Sequence, residues 1–377
     1  MSKKVKKVII ISIISVLVIG LILLVSFYRG NVGFRYWINK NILKKELVGN
    51  ELPYIDLEDK DKSSVFAYGK HIAILNNNVL TIYNDSGKKT STLDVAVSEP
   101  LSKNKGEYLV LADNKNGNIY LIHGDTLQWN QTINGIVEQI TINKQGMVAA
   151  VVTGTTYKSV IELFEPNGEE SFKTYLSTTY STDVTISADG NLLSFTDIDT
   201  SGTAIISKVK TISVEKAKST PEEAVIHTYS FDSGKMLVNI KYSGNSLACL
   251  MDDGAYLLKD GNTTKIFEIT DSISFAEIDF DDYVCNIDEN TKEGKYVLNI
   301  YNLNSSNQGT YFIDETIKKI NGNGHICAIN LGNQVEFVNM SGWLVKRFTP
   351  KQNIKEILLG DQICAIVYKD RIEILKI

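Results

Sequence analysis

The chain has 377 residues, 43% hydrophobic and 22% charged, an ordinary globular composition long enough to bury a large core, and only five prolines, which excludes a proline-rich stalk. Its formal charge of -5 hides an asymmetry: residues 1–50 carry nine Lys/Arg against one Glu, leaving 30 basic and 43 acidic residues from position 51 onward. An acidic body is a poor match to a polyphosphate, so no nucleic-acid partner is expected, whereas a basic, apolar leader suits a membrane with anionic lipids.

Residues 1–7 form a basic tail, with Lys3, Lys4, Lys6 and Lys7, and Val8 to Phe27 is an uncharged run of the length a helix needs to cross a bilayer. No small-x-small cleavage site follows, since the run exits through Ser26, Phe27, Tyr28 and Arg29, so a retained anchor is expected at 8–27, with the lipid bilayer as its partner; the alternative is a buried helix. The leading lysines are denser than the trailing Arg29, Arg35, Lys40, Lys44 and Lys45, which predicts a cytoplasmic N-terminus with the body outside; the near balance leaves a cytoplasmic body open. The stretch at 28–50 reads as an amphipathic juxtamembrane segment, with Tyr28, Arg29, Phe34, Arg35 and Trp37 at the membrane interface, or as a linker packed on the body.

From position 51 the chain repeats. Strands with a small or compact apolar centre recur at Ala73, Val110, Ala149, Leu193, Ala248, Cys285, Cys327 and Cys364, at intervals of 37, 39, 44, 55, 37, 42 and 37 residues. That spacing suits propeller blades of four antiparallel strands, a to d from the channel outward. Unit seven reads as 316–320, 325–329, 334–338 and 343–348. Asx-Gly turns separate c from d, as in NDSG before Lys88 and NMSG before Trp343, because tight hairpins need positive φ. Eight b strands predict an all-β, eight-bladed β-propeller over 51–377, preceded by one transmembrane α-helix, with a seven-bladed ring as the alternative. The last unit lacks strand d, and residues 52–57 are expected to supply it and close the ring. The longest interval holds an insertion at 211–235, where Thr220, Pro221 and Glu223 predict a capped short helix. With Glu222 and His227 it is the candidate partner loop.

SADGNLLSF at 187–195 resembles the Asp-Gly strand-turn signature of TolB-like and other WD40-like propellers, and the Asx-Ser-Gly turns are similar to those of quinoprotein-like propellers. Taken whole, the chain resembles a group of membrane-anchored propeller proteins of Gram-positive bacteria. The resemblance implies an anchored extracytoplasmic propeller and implies no established activity.

Cys249, Cys285, Cys327 and Cys364 come at near-blade spacing, but three stand where earlier units place a small apolar residue, and Cys249 is one residue off. They are read as buried thiols in preference to disulfides. Asp197, Asp199, Ser201 and Gly202 open like a calcium loop, yet Lys208 stands where a bidentate Glu is needed, so a polar hairpin is expected. No HExxH, GxSxG or Walker pattern occurs, and no cofactor or catalytic role is assigned. His71 and His325 begin equivalent b strands and are candidate channel residues. The expected function is protein binding or scaffolding at the cell envelope, with another membrane or envelope protein as partner and no enzymatic activity; the alternative is a small-ligand sensor or enzyme using the central channel.

Overall fold

The computed structural model describes residues 3–30, 52–57, 63–271, 273–278, 280–289 and 296–377, with isolated positions 34, 38 and 42 and a short strand at Glu46–Leu47. Eight sheets follow one another around a ring. Blades 1 to 7 are each built from four consecutive antiparallel strands, and their b strands run His71–Asn76, Tyr108–Asp113, Val148–Thr153, Leu192–Asp199, Ser246–Met251, Tyr283–Asp288 and Ile326–Asn330. Blade 8 takes strands a to c from Glu356–Leu359, Ile363–Val367 and Arg371–Lys376 and strand d from Tyr54–Asp56, so the seven-bladed alternative is set aside.

The closing strand pairs Tyr54 with Glu373, Ile55 with Ile372 and Asp56 with Arg371. Main-chain bonds extend the seam on both sides, from Ile374 to the Pro53 carbonyl (2.8 Å) and from Leu57 to the Asp370 carbonyl (3.0 Å). Glu46–Leu47 adds a fifth strand to blade 7, parallel to its strand d, Leu344–Phe348; the sequence reading did not anticipate it.

The core lies between blades, not inside them. One apolar cluster fills each of the eight interfaces, including the seam between blades 8 and 1. Each b strand serves two of them. In blade 3, Val148, Ala150 and Val152 face blade 2 while Ala149 and Val151 face blade 4, which is why b strands are apolar without alternation. Cys285 and Cys327 share the interface of blades 6 and 7, Cys364 faces blade 7, and Cys249 faces blade 4, opposite to its neighbour Ala248, because a one-residue step reverses the face of a strand. All four cysteines are free and buried, and burial pushes every thiol up, Cys327 to about 12.

Two expectations are corrected. Strand a of unit seven runs Lys319–Asn323, three residues later than expected, because Gly324 (φ +56°) makes the a-to-b turn and pairs Asn323 directly with Ile326. In the insertion, helix α2 is Val214–Ser219, with Ser213 as its cap, accepting from the Lys216 N–H at 3.4 Å. Thr220 ends this helix, its N–H bonded to the Lys216 carbonyl, and Pro221–Glu223 makes a single 3₁₀ turn that its side chain does not cap. The helix forms upstream because Val214 and Ala217 lie on one face there and bury in the interface of blades 3 and 4.

Polar staples supplement the apolar clusters. Asp113, at the end of strand b of blade 2, accepts from the N–H groups of Ser98, Lys115 and Asn116 and from the Ser98 hydroxyl. Burial pushes its carboxyl up, but these donors outweigh it and hold the carboxyl at about 2. Arg347 makes two bonds to Glu336 Oε1 (3.0 and 2.7 Å) within blade 7, and the Tyr311 hydroxyl of blade 6 donates to Oε2 (2.9 Å).

Truncating Ile55, 5% exposed in the closing strand, opens a cavity at the seam. Ile55→Ala is expected to cost about 2–4 kcal/mol in urea unfolding of the full chain in detergent; an unchanged midpoint would show that the seam is not needed. Asp113 has a depressed carboxyl, so its contribution is present above the ordinary value near 4 and is lost as pH falls from there through about 2. Between pH 6 and pH 2, wild type should lose on the order of 2 kcal/mol more than Asp113→Asn. Parallel acid limbs would refute the assignment.

Candidate functional site

In each antiparallel blade the b–c loops and d–a connections lie on one rim, here called upper, and the a–b and c–d turns on the other, lower. The inner a strands line the channel. Toward its lower end a cavity of about 150 Å³ is bounded by the a strands and turns of blades 2 to 6.

Four lysines line it: Lys103 and Lys105 in strand a of blade 2 (Pro100–Lys105), Lys144 in the a–b turn of blade 3, and Lys241 in strand a of blade 5 (Leu237–Ser243). The charges of Lys105, Lys144 and Lys241 bear on Asp281 of blade 6. Lys105 donates to its Oδ1 across the channel, and Lys144 Nζ lies 3.4 Å from its Oδ2. Burial lowers the Lys105 ammonium from its usual range, and the neighbouring charge of Lys241 lowers it further, against the pull of Asp281. On Asp281 burial acts upward, but Lys105 outweighs it and the carboxyl is held below its ordinary value. Asp361, on blade 8, is pushed up by burial despite Lys105.

The backbone fixes this arrangement. Asp281 donates its N–H to the Gly324 carbonyl (2.9 Å), and Phe280 beside it is fully buried against Gly322, where a Cβ would sit 2.4 Å from the ring. Glycine is therefore required at 322 for blade 7 to approach. Between blades 4 and 5, Asp183 accepts from the N–H groups of Val184 and Ile240 (both 2.9 Å), and Thr185 Oγ1 accepts from the Tyr242 N–H (3.0 Å). Asn239 also lines the cavity, and its Oδ1 is a buried acceptor with no donor among the described residues.

His71 opens strand b of blade 1 and His325 lies in the a–b turn of blade 7, both at the lower rim and outside this cavity. Blade 8 separates them. His71 Nδ1 lies 3.1 Å from Glu107 Oε2 and its ring stacks on Tyr68 at 5.5 Å; His325 is exposed and meets the edge of Tyr283 at 6.2 Å. Asp197 pairs with Lys210 (2.6 Å) and Asp199 accepts from Ser201, within the b–c hairpin of blade 4. Polar convergence in one cavity is present, but through lysines. A signal for two of them existed: Lys105 and Lys144 each stand five residues before the strand-b centre of their blade.

Thr220, Pro221, Glu222 and Glu223 are exposed on the lower side, and α2 beside them is tied to blade 3 by Lys218 and Glu165 (2.6 Å); His227 lies half-buried in strand d, its ring 6.1 Å from Tyr229. The upper rim carries a different feature. Of the eleven exposed large hydrophobic residues among the described residues of the propeller, eight lie on the upper rim of blades 3 to 5: Ile136, Tyr157, Tyr175, Tyr180, Ile205, Ile206, Met236 and Val238. Tyr157 and Tyr175 pack ring to ring at 4.6 Å, and Lys158 covers Tyr180 at 4.5 Å.

Helix α1 is Lys3–Gly30, with side chains described from Ile14 to Tyr28. Among the described residues no helix is long and apolar enough to cross a membrane. Tyr28 meets Trp343, in the c–d turn of blade 7, edge to face at 5.8 Å, and Phe34 packs on Phe27 at 5.0 Å. Arg29 falls in the helix, whereas Arg35 and Trp37 lie outside the described residues.

In backbone shape the chain is similar to Sqt1 from Chaetomium thermophilum, bound in that structure to the N-terminus of the ribosomal protein L10 (11% identity, 87% of this chain and 100% of that one, TM-score 0.52). It is also similar to the C-terminal WD40 domain of Sif2 (13%, 87% and 99%, TM-score 0.55) and to BamB from Moraxella catarrhalis (11%, 88% and 100%, TM-score 0.50). At these identities the likeness is one of fold alone. No curated protein matches the sequence. The profile of the family of unknown function DUF5711 matches residues 50–377, and the chain belongs to that family.

Proposed function

We propose that this chain is a membrane-anchored scaffold whose propeller stands outside the cytoplasmic membrane and holds a membrane or envelope protein on its upper rim. The observation that carries the reading is the crowding of exposed apolar and aromatic side chains on one rim of three adjacent blades. Such a patch is unfavourable in water, and aromatic residues on a rigid support are what protein interfaces use as anchors. The partner is accordingly a protein presenting an apolar segment. Sqt1, of the same fold, is bound to a protein N-terminus in its own structure, which is compatible with such a role.

Anchoring through 8–27 is supported by the surface of α1. Its apolar side chains from Ile14 to Phe27 are between 42% and 69% exposed where they are large, a surface that lipid would cover. The lysines before the run support an N-terminus in the cytoplasm. Contact of Tyr28 with the lower side of blade 7 leaves the upper rim turned away from the anchor. Tethering then confines the docking rim near membrane partners and raises their effective concentration.

Two measurements test the proposal. Replacing Tyr157, Tyr175 and Met236 with Glu should abolish capture of a reproducible partner by membrane-impermeant crosslinking in intact cells, with an unchanged melting temperature because all three are exposed. Retention of the partner would refute the rim, and its loss only on replacement of Thr220–Glu223 would move docking to that loop. A Ser86→Cys variant, exposed in a c–d turn, should react with an impermeant thiol reagent in intact cells while the four buried cysteines stay silent. Labelling only after permeabilisation would place the propeller inside.

A further inference from the structure

We propose that the upper part of the channel wall beside the closure seam binds a neutral polyhydroxylated ligand, a mono- or disaccharide, with Asn321 and Asn104 accepting from its hydroxyls. The site lies on the other side of the ring from the apolar rim of blades 3 to 5 and does not depend on a protein docking there.

The place is a second cavity, of about 490 Å³, bounded by the inner strands of four consecutive blades, 7, 8, 1 and 2. Pockets for small ligands run from roughly 300 to 1,000 Å³, so a disaccharide is accommodated. Blades on both sides of the seam contribute to the wall. A bound ligand therefore adds contacts across the closure of the ring and stabilises the closed state.

The polar groups of the wall set the chemistry of the ligand. Asn321 Oδ1, in the middle of strand a of blade 7, is a buried acceptor with no donor among the described residues. Asn104, in strand a of blade 2, donates from Nδ2 to the Ala67 carbonyl of blade 1 (2.9 Å), which fixes its carboxamide and leaves Oδ1 for a ligand. An unpaired buried acceptor is costly, and a ligand hydroxyl is a donor that removes the cost. Ser64 and Ser102 add hydroxyls from blades 1 and 2 that donate or accept, matching a ligand whose own groups do both. Phe66, Ile357 and Leu358 line the same cavity and offer an apolar wall to the C–H face of a sugar ring.

Charge gives no reason for an ionic ligand. The charged residues lining the cavity are Lys355 and Glu356, of opposite sign. Lys355 is exposed, and Glu356 pairs with Lys319 (3.5 Å) through side chains 42% and 52% exposed. Solvent screens all three, so the cavity presents no buried charge that calls for an ion.

The test uses the full chain in a detergent without a sugar headgroup, titrated with glucose, N-acetylglucosamine, maltose and cellobiose by saturation-transfer NMR and calorimetry. Saturable binding of at least one sugar is expected, with a raised melting temperature, and glucose 6-phosphate should bind no more tightly than glucose. Asn321→Leu should weaken binding about tenfold, the loss of one hydrogen bond to a buried acceptor. Its unliganded melting temperature should hold or rise, because the orphan acceptor is gone, whereas a merely structural asparagine would lower it. Ser102→Ala, at a partly exposed hydroxyl, should weaken binding several-fold with folding intact. Absence of binding by all four sugars overturns the proposal, as does unchanged affinity in both variants or tighter binding of glucose 6-phosphate.

Discussion

Closure of the ring is the constraint on which the rest depends. A blade has no core of its own, because its apolar residues lie on its two faces and are covered only by its neighbours. Eight interfaces therefore need eight blades and a seam, and the seam is three residues of strand, Tyr54–Asp56, laid on the edge of Arg371–Lys376. Without it the strand edge of blade 8 is open, and Ile55 and Leu57 are missing from the cluster that joins blades 8 and 1. The chain brings its N-terminal part back to its C-terminal strand, so the closing strand pairing joins residues more than 300 positions apart, Tyr54 with Glu373.

The same geometry separates apolar from polar. The b strands sit between two interfaces and are apolar on both sides, while the a strands face a channel and keep one polar side. That is why Lys103, Lys105, Lys241 and Asn239 fall on a strands at all. At the interface of blades 6 and 7 the buried charges of Glu336 and Arg347 are paired with each other and with Tyr311, because an unpaired charge there is costly.

The two rims offer unlike surfaces. Above, apolar side chains of blades 3 to 5 are presented by connections that the blades hold rigid. Below, lysines of three blades bear on a carboxylate of a fourth. A ring can carry both because its a strands fix the channel wall independently of the loops that decorate either end.

Much of the architecture was legible in the sequence, because each blade is a local repeat: a compact residue every 37 to 55 positions, Asx-Gly between c and d, and a missing last strand that predicted its own replacement by 52–57. Boundaries were less legible where a turn decides them, as at Gly324, or where burial does, as with α2. The cysteines were readable as packing, since strand alternation alone tells which face they occupy. The convergence of Lys105 and Asp281, 176 residues apart, was not. Sequence determines what each blade contributes to the channel and to the rim; which contributions face one another is an angular property of the closed ring, and it exists only once the first and last strands have paired.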